Sequence, residues 1–93
     1  MLLKFEGQAI TDSAGDVRFA GQYDAEGKTR IVICRVERAA LVARCCLQDP
    51  TPEKLLAAYR EISAEVNRLA AAQFAGGILK PVITMTDLAR TAA

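Results

Sequence analysis

Three cysteines, Cys34, Cys45 and Cys46, are the side chains in this sequence most suited to covalent chemistry. A thiol can act as a nucleophile, a redox partner or a metal ligand, but a reactive thiol needs an electropositive, partly open pocket. The sequence has no histidine and no two cysteines separated by two residues, so the usual zinc-ligand spacing is missing. Cys34 lies in a strongly apolar segment and is interpreted as a small buried hydrophobic residue. For Cys45 and Cys46, packing in the core, a redox role and an intermolecular disulfide remain open, and we predict no catalytic, metal or cofactor site.

Arg35, Arg38 and Arg44 form the candidate anion patch, at the point where a predicted strand gives way to a predicted helix. Guanidinium groups bind phosphates and carboxylates through two parallel hydrogen bonds, which suits such a patch. The alternative is a set of solvated charges that also protects sheet edges against aggregation. The 12 Lys and Arg residues are nearly balanced by 11 Asp and Glu residues, and no exposed aromatic row accompanies the arginines. We therefore regard nucleic acid as an unfavoured partner.

An alanine stripe on a predicted long helix is the candidate protein interface. At about 100° per residue, Ala57, Ala64 and Ala71 lie close together on the helix surface, opposite its apolar stripe. The alternative is that alanine is used there only because it is the best helix former. Two such faces crossing antiparallel would bring Arg68 of one chain towards Glu61 of the other, which predicts a homodimer with two-fold symmetry.

Hydrophobic periodicity outlines the elements that position these residues. Residues 16–36 predict a β-hairpin, and its second strand is apolar on both faces, which is typical of a central strand. A short edge strand at residues 2–6, a short helix after the hairpin, a helix over residues 52–75 and a strand over residues 81–85 complete the pattern. The predicted fold class is α+β: a small antiparallel sheet (hairpin 16-36 plus a C-terminal strand) covered on one face by a short and a long helix. A chain of 93 residues predicts one domain, residues 1–93.

The sequence also predicts where the protein is found. Its first residues reach an acidic side chain before an apolar run of signal-peptide length can form, and no segment approaches the roughly 18 apolar residues of a membrane span. An odd number of cysteines does not suit a disulfide framework. We expect a cytoplasmic protein without membrane contact.

Short runs of residues resemble a family of small bacterial proteins known as domain of unknown function 1488. The matching runs are Val17-Arg18-Phe19, Ile33-Cys34-Arg35-Val36, Ala40-Leu41, Leu55-Leu56-Ala57-Ala58-Tyr59-Arg60, Val82-Ile83-Thr84 and Asp87-Leu88. Glu37 stands where the family often has a polar residue that caps the following helix. The resemblance implies a compact α+β fold and a bacterial cytosolic setting, and it carries no activity and no catalytic residue.

These observations predict a non-catalytic protein-interaction module, not an enzyme, whose partner is an unknown protein or a second copy of the chain. The alternative is a nucleic-acid-binding accessory protein that uses the arginine patch.

Overall fold

The computed structural model describes residues 3–5 and 8–91, and within them five strands form one sheet. The strands are β1 (Lys4–Phe5), β2 (Ile10–Thr11), β3 (Val17–Ala25), β4 (Lys28–Val36) and β5 (Val82–Ile83). β3 and β4 have nine residues each and pair antiparallel along their whole length. Glu26 and Gly27 between them have φ angles of 54° and 76°, which suits the two-residue turn that follows the twist of a hairpin. The predicted hairpin is confirmed.

The remaining strands are short and lie on both sides of the hairpin. β1 and β2 pair antiparallel with β3, β1 at Gln22 and Gly21 and β2 further towards the start of β3. Residues 2 and 6 of the predicted strand 2–6 lie outside the described residues. β5 pairs with β4 in parallel, at Arg35 and Val36.

The sheet is therefore mixed: the predicted α+β fold class is confirmed, and the predicted antiparallel pairing is corrected for β5 alone. The chain between β4 and β5 crosses over through helices, and such a crossover is what returns a chain in the direction parallel to its first strand.

The helices are α1 (Arg38–Cys45), α2 (Pro52–Glu61), α3 (Ser63–Ala75) and α4 (Met85–Thr91). α2 begins as the sequence predicts, because the Thr51 hydroxyl accepts a hydrogen bond from the Lys54 amide at 3.2 Å. The single helix predicted over residues 52–75 is instead divided at Ile62.

Ile62 separates α2 from α3 with φ −110° and ψ 17°, outside regular helical geometry. The Ser63 hydroxyl donates to the Arg60 carbonyl at 3.1 Å, and a side-chain bond of this kind competes with the helical backbone ladder. The bond lies at the division, while the Ile62 amide still donates to the Ala58 carbonyl at 3.3 Å.

α4 begins at Met85, the last residue of the strand predicted over residues 81–85. Thr84 and Asp87 cap it reciprocally: the Thr84 amide donates to Asp87 Oδ2 at 2.9 Å, and the Asp87 amide donates to the Thr84 hydroxyl at 3.3 Å. The strand predicted over residues 81–85 is therefore limited to β5.

The helices cover one face of the sheet, and the core lies between the two layers. Alternate residues of β3 and β4 point into it, including Phe19, whose ring lies 5.2 Å from that of Tyr59 on α2. The buried hydrophobic residues are Leu3, Val17, Phe19, Val32, Cys34, Val36, Ala40, Leu41, Leu55, Ala58, Tyr59, Val66, Ala70, Ile83 and Leu88. The structure is a two-layer α+β domain. None of the helices in the described part of the chain has the length and apolar character that crossing a membrane requires.

Candidate functional site

The face of the sheet turned away from the helices carries exposed isoleucines. Ile31 and Ile33 of β4 are 64% and 50% exposed, and Ile10 of β2 is 60% exposed. Because side chains alternate along a strand, Ile31 and Ile33 point away from the core that Val32 enters. A depression of about 340 Å³ connects Ile10 with Ile33 across Ala20. We call Ile10, Ala20, Ile31 and Ile33 the open-face strip.

The outer edge of β4 is the second feature of this surface. The Arg35 amide donates to the Pro81 carbonyl at 3.0 Å, so the backbone polar groups of Arg35 point away from β3. The register with β3 is continuous, so Thr29, Ile31 and Ile33 point their N–H and C=O groups in the same direction. Among the described residues no other strand pairs with β4 before Arg35. Most of β4 is therefore a free strand edge.

Pro81 explains why the pairing with β5 stops where it does. In the parallel register Pro81 lies next to Cys34, and the carbonyl of Ile33 would accept the amide hydrogen of residue 81. Proline has no amide hydrogen, so the ladder ends there. The free edge, which we define as Lys28 to Ile33 of β4, is thus a consequence of the sequence.

A basic groove lies at the end of the free edge, on the same side as the open-face strip. It has a volume of about 370 Å³ and includes Arg18, Arg35 and Lys80 among its lining residues. Arg18 Nε lies 3.0 Å from Asp12 Oδ2, and this hydrogen bond lowers the pKa of the Asp12 carboxyl below its usual range. Arg35 Nη1 is 3.7 Å from Asp16 Oδ2, while Arg35 Nε is buried with no hydrogen-bond partner among the described residues. The groove combines positive charge with apolar walls.

The arginine patch predicted from the sequence is only partly assembled. Asp16 brings Arg35 and Arg38 together, since one carboxylate oxygen lies near Arg35 and the other accepts the Arg38 amide at 2.8 Å. Arg44 belongs to another environment, where its guanidinium pairs with Glu65 of α3 at 3.1 Å. The three arginines therefore do not share one surface.

The alanine stripe is divided between two helices. Ala57 and Ala64 are exposed, but the break between α2 and α3 falls between them, and Ala71 is half-buried against the core. Glu61 and Arg68 are both exposed. Self-association through these residues stays a prediction.

The cysteines occupy three different environments, and all three are unpaired. Burial of Cys34 raises the pKa of its thiol to about 11. Burial, followed by the negative charge of Glu61, also raises the pKa of the half-buried Cys45. Cys46 is exposed and ends α1 in the left-handed region, with φ 53° and ψ 48°. Among the described residues, histidine, cysteine and acidic side chains form no group that could hold a metal ion.

The open-face strip and the contribution of Lys80 to the basic groove were not predicted from the sequence. The signal for the strip was available in the alternation of β4, but a strand apolar on both faces also fits a central position. No signal in the sequence brings Lys80 to Arg35, because the two residues meet only through the short pairing of β5 with β4.

Comparison with known proteins adds no relative: no family model, curated protein or solved structure matches the chain. The resemblance to domain of unknown function 1488 stays a prediction.

Proposed function

We propose that this chain is a non-catalytic protein-interaction module that docks a protein, a different chain or a second copy, on the open-face strip and the free edge. The observation that carries the proposal is the exposure of Ile10, Ile31 and Ile33 beside a strand edge that no strand of the described residues covers. Exposed apolar patches mark binding surfaces, and unpaired edges are ready to accept a strand.

The titratable groups support a role without catalysis. General acid–base chemistry works best when a side chain titrates near neutral pH. Here burial raises the pKa of Tyr59 to about 12 and that of Cys34 to about 11. The Asp12 carboxyl is shifted in the opposite direction. Each of these shifts moves the pKa further from neutral pH.

A photo-crosslinking experiment tests the proposal. Benzoylphenylalanine in place of Ile31 should give one discrete adduct in a lysate of the cells that naturally contain the protein, because that position faces the partner. Benzoylphenylalanine in place of Ala57, which is exposed on the helical layer, is the matched control. Purified protein treated in the same way reveals whether the adduct is a dimer of the chain.

The outcomes separate the possible surfaces. An adduct from position 31 and none from position 57 supports the sheet surface. An adduct from position 57 alone would place the interface on the alanine stripe, and the absence of discrete adducts from both positions would contradict an interaction module.

A further inference from the structure

The free edge can bind a partner through backbone hydrogen bonds. The N–H and C=O groups of Thr29, Ile31 and Ile33 point outward, in the spacing that an additional strand requires. An extended segment that pairs with such an edge gains main-chain hydrogen bonds, and the side chains of β4 then determine which sequences fit.

The side chains of β4 differ on its two faces. Thr29, Ile31 and Ile33 lie on the uncovered face, whereas Lys28 and Arg30 lie on the opposite face and are exposed. Residues that oppose each other across two strands place their side chains on the same face and in contact. A segment paired with β4 therefore needs apolar residues opposite the isoleucines and acidic residues opposite the two cations.

The positive charges of β4 also disfavour pairing with the same strand of a second copy of the chain. β4 contains Lys28, Arg30 and Arg35 and no acidic residue, and Lys80 adds a further positive charge in the basic groove. Two copies paired through the free edge would bring together four strand cations, Lys28 and Arg30 of each copy, with no carboxylate in either paired segment. Like charges across a strand pair are destabilising, and opposite charges contribute favourably.

We infer that β4 accepts an extended acidic segment of another protein as an additional strand, with acidic and apolar residues in alternation. This inference rests on the proposed function and specifies the chemistry of its partner.

A synthetic peptide provides the probe. It has seven residues that alternate glutamate and valine, begins and ends with glutamate, and is capped at both termini. The alternation reads the same in both directions, so parallel and antiparallel pairing are both possible. Fluorescence anisotropy should give saturable binding, and a peptide with lysine in place of every glutamate should bind at least about tenfold more weakly, because it meets Lys28 and Arg30.

N-methylated peptides separate strand pairing from simple charge attraction, since they keep every charge. Antiparallel pairing directs the valine amides towards β4, and parallel pairing directs the glutamate amides there. Two methylated peptides are compared: one carries the methyl groups on the valine amides, the other on the internal glutamate amides. One of them should lose at least about tenfold in affinity, equivalent to about 1.4 kcal/mol. The other keeps its affinity and serves as the matched control. Equal binding of both methylated peptides and the parent would overturn strand addition.

Variants of the protein test the same contacts from the other side. Ile31→Pro removes an outward N–H and leaves the ladder with β3 intact, so it should weaken binding at least about tenfold, whereas Ile31→Val should not. Arg30→Glu should weaken binding of the glutamate peptide about fivefold and strengthen binding of the lysine peptide. If Ile31→Pro fails to fold, the methylated peptides still test strand pairing, and Arg30→Glu still tests the preference for an acidic segment.

The remaining outcomes all count against the inference. Lysine and glutamate peptides of equal affinity would refute the acidic partner. A dimer in light scattering that Ile31→Pro converts to a monomer would assign the edge to a second copy. An adduct from position 31 without binding of the glutamate peptide would overturn this inference and leave the proposed function standing.

Discussion

Asp16→Ala should destabilise the fold through the start of α1. Glu37, the residue before the helix, makes no side-chain cap, and the first turn of α1 contains no acidic residue. The cap is supplied instead by the residue that precedes β3, since Asp16 Oδ1 accepts a hydrogen bond from the Arg38 amide at 2.8 Å. Loss of an N-cap usually costs about 1 kcal/mol, within a range of about 0.5–2 kcal/mol.

The ion pair of Asp16 adds little to this cost. Arg35 Nη1 is 3.7 Å from the carboxylate and its side chain is 40% exposed, so the pair should contribute about 0–1 kcal/mol. We therefore expect Asp16→Ala to lower the free energy of unfolding by about 1–2 kcal/mol in total. Asp16→Asn keeps an oxygen that can accept the Arg38 amide and should lose under about 1 kcal/mol.

Urea unfolding followed by far-ultraviolet circular dichroism measures both variants against the wild type, provided the m values agree. Arg35→Met is the matched control, since it removes the ion pair and keeps the cap. An unfolding free energy of Asp16→Ala within about 0.3 kcal/mol of the wild-type value would contradict a cap at Asp16, because the usual cost of a lost cap is well above that. An Asp16→Asn variant as unstable as Asp16→Ala would contradict it as well.

Three further predictions concern the thiols, the edge of β5 and the alanine stripe. Burial raises the Cys34 pKa from 9.0 to about 11, so the folded state keeps a proton that the unfolded state loses. The resulting contribution to the free energy of unfolding is complete below pH 9.0 and is lost as the pH rises towards 11. In that range the free energy of unfolding should fall by up to about 1.4 kcal/mol per pH unit. Cys34→Ala should remove this pH dependence from urea unfolding curves. Gln73 bonds both backbone groups of Val82, at 2.9 and 3.0 Å, so Gln73→Ala should cost about 1–3 kcal/mol in thermal unfolding, and a variant as stable as the wild type would contradict those bonds. Light scattering of the wild type and of Ala64→Arg tests the homodimer expected from the alanine stripe. If the stripe is the interface, the wild type is a dimer and the variant is a folded monomer.

The hairpin was predictable because its signals are local. Alternating apolar residues define each strand, and Gly27 supplies a turn position at which a positive φ angle carries no steric cost. The capped start of α2 at Thr51 was predictable for the same reason, since cap and capped amide are three residues apart.

Features that depend on distant residues could not be predicted. The cap of α1 joins Asp16 to Arg38, which are 22 residues apart, so a search for capping residues next to the helix finds only Glu37. The parallel direction of β5 follows from the path of the intervening helices and not from its own two residues.

The free edge was not predicted, and the reason is physical. Residues that are apolar on both faces of a strand usually indicate burial on both faces, and β4 was therefore expected to lie in the centre of the sheet. In the structure β4 does lie between β3 and β5, but β5 pairs with it only at Arg35 and Val36. Val32 is buried, whereas Ile31 is exposed, and among the described residues no strand pairs with the outer edge of β4 at Ile31. The apolar residues of β4 thus have two roles: Val32 packs in the core, and Ile31 forms an apolar surface beside the free edge.

Amide hydrogen exchange along β4, measured by nuclear magnetic resonance, tests the central claim most directly. In the free protein the amides of residues 29, 31 and 33 should exchange fast, whereas those of residues 30, 32 and 34, bonded to β3, should be protected. Saturation with the glutamate–valine peptide should slow the first set at least about tenfold and leave the second set unchanged. Protection of both sets in the free protein, or no change in the first set when the peptide is bound, would contradict a free edge that accepts a strand.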